Sequence, residues 1–64
     1  MKFAPLMLIA LGQSKVRVTY EPSKIFPFVV EVKRPGTQWV YHDGFVRRSD
    51  AFRAAADFAE FLSE

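Results

Sequence analysis

The chain divides by its pattern of apolar and polar positions into four extended segments and one helix. Leu6–Leu11 is an unbroken apolar run closed by Gly12-Gln13-Ser14, the signature of a strand buried on both faces. Lys15–Glu21 alternates, with Val16, Val18 and Tyr20 on one side and Lys15, Arg17, Thr19 and Glu21 on the other, which predicts a half-buried strand. The short Gly-Gln-Ser link joins the two as a hairpin. Pro22 keeps the next stretch, Glu21–Lys24, in a loop. Ile25–Lys33 is the third predicted strand, with Phe26, Phe28, Val30 and Val32 on one face. Pro27 has no N–H to donate, so its end should lie at an edge or a bulge. Arg34-Pro35-Gly36-Thr37 carries the residues of a type II turn. Gln38–His42 is the fourth strand, closed by Asp43-Gly44.

From Ser49 onward the period changes to that of a helix. Ser49 is placed as N-cap and Asp50 favours the positive end of the helix dipole. Ala51, Phe52, Ala55, Phe58, Ala59 and Leu62 share one face, Arg53, Asp57, Glu60 and Glu64 the other, and Phe61 sits on the border. The three alanines let the helix lie close to a sheet. The predicted fold is α+β: a four-stranded antiparallel sheet of two hairpins with one C-terminal helix on one face (ββββα), forming a single domain over residues 1–64.

The open face of that sheet depends on the register of the second hairpin. A two-residue Pro-Gly turn puts Val32 opposite Trp39 and Val30 opposite Tyr41, so the two aromatics join the core. Val29, Val40 and His42 then stand outside with Lys15, Arg17, Thr19, Glu31, Lys33 and Gln38. A slip of one residue reverses this and sets Trp39 and Tyr41 beside Lys15, Arg17 and Lys33, a platform of the kind that stacks single-stranded bases. Turn chemistry favours the first register. The first strand is apolar on both faces. Either Leu6, Leu8 and Ala10 or Met7, Ile9 and Leu11 must therefore point away from the helix, extending an apolar stripe.

Composition narrows the functional classes. Sixty-four residues, half of them hydrophobic, exclude a disordered tail. Cysteine is absent, so no disulfide or thiol chemistry is available. The net charge of +2 hides an asymmetry. Residues 1–48 carry eight Lys/Arg against three acids, and residues 49–64 one Arg against four acids. Met1-Lys2 and the apolar run after it are too short for a secretion signal, which takes about 15–30 residues. They are also too short for a bilayer-spanning helix, which needs roughly 20. A cytoplasmic location without membrane contact follows as the expectation.

No motif for a nucleophile, phosphate loop, metal site or cofactor is present, so the chain is read as a non-enzyme without cofactor or metal. His42 and Asp43 are adjacent on a strand and so point to opposite faces, which argues against an acid–base pair. Two basic doublets, Lys33-Arg34 and Arg47-Arg48, would converge if the turn and the helix start lay at the same end of the sheet.

The stretch from Phe28 to Leu62 joins an extended pair, a Pro-Gly turn, Trp39 and Gly44-Phe45 leading into a helix. In this it resembles the arm-binding domain of phage-type integrases. That family uses a three-stranded sheet and one helix to bind DNA, and the resemblance implies the same use here. It covers about half the chain and departs from the pattern in lacking a long basic strand.

Two functional expectations result. The first is a small regulator or inhibitor, in the manner of phage accessory proteins, that binds a protein partner through its open sheet face and also dimerises. Its contacts would be Arg17, Val29, Lys33 and Val40, an apolar centre with a charged rim. The second is a nucleic-acid-binding module using Lys15, Arg17, Lys33, Arg34, Trp39, Arg47 and Arg48.

Overall fold

A computed structural model describes residues 5–62. The strands are β1 (Met7–Leu11), β2 (Ser14–Tyr20), β3 (Phe28–Lys33) and β4 (Val40–Phe45), and the helix is α1 (Arg48–Leu62). All pairings are antiparallel and the spatial order is β1-β2-β3-β4, which is the ββββα architecture expected.

The first hairpin closes as its sequence demands. Leu11 pairs with Ser14 across Gly12-Gln13, and Gly12 sits at φ 60°, a conformation open to glycine at the first central position of a type II′ turn. That turn matches strand twist, so pairing runs from Leu11↔Ser14 to Met7↔Val18 without interruption.

The second hairpin behaves differently. The Pro35-Gly36 turn forms, with Gly36 at φ 78° and the Thr37 N–H donating to the Arg34 carbonyl at 3.1 Å. The Thr37 hydroxyl also donates to that carbonyl and accepts from the Arg34 N–H. A type II turn splays its strands instead of matching their twist. The ladder therefore resumes only at Val32↔Val40 and Glu31↔Tyr41, one residue away from the favoured register. A bulge between Val30 and Glu31 then leaves His42 as the extra residue, and pairing continues as Val30↔Asp43 to Phe28↔Phe45. Asp43-Gly44 thus lies within β4 and does not terminate it.

The core lies between sheet and helix. Val16, Val18, Val30 and Val32 meet Ala51, Ala55 and Ala59, all buried, with Met7, Ile9, Leu11, Phe28, Phe45, Phe52, Phe58 and Leu62 packed around them. The alanine stripe is the contact surface expected, and the molecule measures only 15 Å along its shortest axis. Helix initiation differs by a residue or two from expectation. The Ala51 N–H donates to the Arg47 carbonyl at 3.2 Å, so Arg47 occupies the N-cap and Ser49 lies inside the first turn. Among the described residues no helix is long and apolar enough to cross a membrane. The charges at Lys2 and Glu64 lie outside the described residues.

Candidate functional site

Pairing fixes what stands on the face away from α1. Residues opposite one another share a side, so Leu8, Arg17, Glu31 and Tyr41 form one row across the sheet and Ala10, Lys15 and Lys33 another. Leu8, at 54% exposed, and Ala10 are thus the outward set of β1, whereas Met7, Ile9 and Leu11 pack toward the helix.

Arg17 organises the middle of this face. Its Nε donates to Glu31 Oε1 at 2.8 Å, and its guanidinium carbon lies 4.0 Å from the Trp39 ring centroid. Trp39 adjoins β4 while Arg17 belongs to β2, so the indole must lean across β3 to reach it. The contact is a cation–π pair, and Arg17 is held from two directions. Beyond it Lys15 and Lys33 are direct cross-strand partners. Two like charges in that position repel, and neither joins an ion pair among the described residues.

The other end of the face is aromatic. A β-carbon at Gly44 would stand 2.9 Å from Phe26 Cβ and 3.1 Å from the Tyr41 hydroxyl, so both side chains close over that glycine. The loop preceding β3 is tied back by the Glu21 N–H donating to the Pro27 carbonyl at 2.7 Å. Lys24 pairs with Glu21 at 3.4 Å within it.

Several sequence-based placements change with the register. Trp39 and Tyr41 leave the predicted core and join the basic face. Val40 pairs with Val32 and so belongs to the helix side of the sheet. His42 turns to that side too, its ring stacked on Phe58 at 4.0 Å. Val29 does face away from the helix but is 1% exposed, so it offers no contact surface. Phe26, expected in the core with Phe28, is exposed over Gly44, because Pro27 interrupts the alternation before β3 begins. The basic doublets do not converge. Lys33-Arg34 follows one end of β3, while Arg47-Arg48 follows Phe45, which pairs with Phe28 at the other end, about 17 Å away along the strand. Arg17, Lys33 and Lys15 stand on the open face as expected, and Arg34 adjoins it in the exposed turn.

Phe26 and Glu31 are the face residues that sequence reasoning did not select as contacts, whereas the slipped register already sets Tyr41 beside Trp39, and Leu8 belongs to one of the two candidate outward sets of the first strand. Among the described residues no group of three His, Cys, Asp or Glu side chains is placed to hold a metal ion. Comparisons with models of protein families, with curated proteins and with solved structures find no match.

Proposed function

We propose that this chain is a non-enzymatic binding module whose open sheet face takes single-stranded nucleic acid. The observation that carries the reading is the register of β4, with Trp39 and Tyr41 on the face that holds Lys15, Arg17 and Lys33. Tyr41 is 57% exposed and offers a ring face to a base. An aromatic of this kind contributes about 1–3 kcal/mol per stacked base, whatever the base. A phosphate between Lys15 and Lys33 would relieve their mutual repulsion, and Arg34 adjoins them.

The test is a fluorescence-anisotropy titration of labelled oligo-dT and oligo-U at several salt concentrations. With Lys15, Lys33 and Arg34 as the phosphate contacts, the logarithm of affinity should fall with the logarithm of salt at a slope of about −2. Lys15→Glu with Lys33→Glu should abolish binding, and Tyr41→Ala should weaken it about tenfold or more. Binding absent at low salt, or indifferent to the lysine pair, overturns the reading.

A second reading, a regulator that engages a protein partner through an apolar patch, is favoured by the exposed Leu6, Leu8 and Phe26 beside Arg17 and Tyr41. Exposed aromatics and an arginine with basic neighbours are the composition of a protein interface. It predicts binding that tolerates salt and is lost in Leu8→Asp, with Lys15 and Lys33 secondary.

A further inference from the structure

The two edges of the sheet are built unlike one another. Edge strands expose unpaired backbone groups, and chains that stay apart blunt them with bulges, charges or proline. β4 carries two such devices. It is bulged at His42, and the Asp43 carboxylate accepts the Gly44 N–H at 2.8 Å, occupying a donor with the strand's own side chain. β1 (Met7–Leu11) has neither charge nor proline, and no strand lies outside it among the described residues.

The hairpin fixes which groups of β1 are unpaired. A two-residue turn makes Leu11↔Ser14 a pair that exchanges hydrogen bonds, and such pairs alternate along an antiparallel ladder. Ile9 and Met7 therefore bond inward to β2, while the N–H and C=O of Leu8 and Ala10 point outward. These two residues stand symmetrically about Ile9.

We infer that β1 pairs antiparallel with β1 of a second copy, about a two-fold axis at Ile9. Leu8 of each copy then lies opposite Ala10 of the other, exchanging hydrogen bonds, and Met7 lies opposite Leu11. The axis stands perpendicular to the sheet, so both helices fall on one side and both open faces on the other. Large meets small on the open face at Leu8 and Ala10, and no charge of β1 opposes the approach. The product is a continuous eight-stranded sheet that carries the Arg17–Glu31–Trp39 cluster twice. The inference stands on edge geometry and does not rest on nucleic-acid binding, because its test uses protein alone.

The axis supplies a register-specific test, since the chain has no cysteine of its own. Across the axis Ile9 faces Ile9 of the partner as a non-hydrogen-bonded pair with Cα atoms about 4.5 Å apart, within the range of a disulfide. Ile9→Cys should oxidise to a covalent dimer. Leu11→Cys should not, because the two copies of that position would stand about 13 Å apart along the strands. In light scattering across a concentration series, the unmodified chain should reach twice its 7.4 kDa mass. Ala10→Pro removes only an outward N–H, and Leu8→Lys puts a charge on the edge. Both should stay monomeric with an unchanged circular dichroism spectrum. A monomer at every concentration, a dimer that survives both edge variants, or equal cross-linking at positions 9 and 11 overturns the inference.

Discussion

Glu31→Gln separates the stability of the open face from its use. Glu31 accepts from Arg17 Nε at 2.8 Å, with side chains only 20% and 27% exposed. Glutamine keeps an acceptor oxygen and removes the charge. A partly buried ion pair that still reaches solvent contributes on the order of 1 kcal/mol, so the variant should lose roughly that much or less. The corresponding loss in melting temperature is about 4–8 °C per kcal/mol in a domain of this size. The functional effect has the opposite sign. With Glu31 neutral, the Arg17 charge is no longer cancelled beside Lys15 and Lys33. Each cation added to a single-strand contact steepens the salt slope by about 0.7 and, at about 0.1 M salt, raises affinity about fivefold. Thermal melts followed by circular dichroism and anisotropy titrations with oligo-dT measure the two effects on one preparation. A less stable protein that binds more tightly is the expected pairing. If affinity falls along with stability, or the slope stays as it was, Arg17 does not meet phosphate and the electrostatic account of this face is wrong.

Three further substitutions probe the packing that shapes the face. The Thr19 hydroxyl is buried without a hydrogen-bond partner. Thr19→Val should therefore stabilise by about 1–2 kcal/mol, read as a raised melting temperature; a loss instead would mean that an ordered water satisfies the hydroxyl. Gly44→Ala places a β-carbon 2.9 Å from Phe26 Cβ and should cost about 1–3 kcal/mol in urea unfolding. In double-mutant cycles the penalty should shrink with Phe26→Gly and persist with Phe26→Ala, which keeps the offending atom. Ala55→Leu overfills the fully buried contact between helix and sheet and should cost about 1–3 kcal/mol in chemical denaturation. Ala56→Leu, on the exposed side of the same turn, should stay within about 0.5 kcal/mol of the parent.

Wherever one local rule decided the outcome, the sequence was a sufficient guide. The alternation of Lys15–Glu21, the two-residue link at Gly12-Gln13 and the 3.6 period of Ala51, Ala55 and Ala59 each specify an element without reference to the rest of the chain. Their expected partners are the observed ones. The β3–β4 hairpin needed two rules that act against each other. Pro35-Gly36 does form the turn that its residues prescribe, and a two-residue turn there predicts Val32 opposite Trp39. Yet a type II turn has the wrong twist to feed a ladder directly. The chain spends three further residues, Thr37–Trp39, before pairing begins.

That delay matters more than its length suggests. An odd displacement exchanges the two faces of a strand, so it decides whether Trp39 and Tyr41 are core or surface. It also explains the bulge at His42. Without a second odd step, Phe45 would follow Tyr41 onto the open face and the helix would start from the wrong side of the sheet. With it, Phe45 and the entry into α1 return to the core side while Tyr41 stays outside. The aromatic–basic face and the covered core are thus consequences of one pair of compensating shifts. Deleting Gln38 tests this. It would let the Pro-Gly turn feed the ladder directly, with Trp39 opposite Lys33 and Val40 still opposite Val32, so both keep their present faces. Trp39 should therefore keep its emission maximum and its access to quencher, and a blue-shifted, shielded Trp39 would mean that the odd displacement persists without Gln38 and is not set by the length of the link.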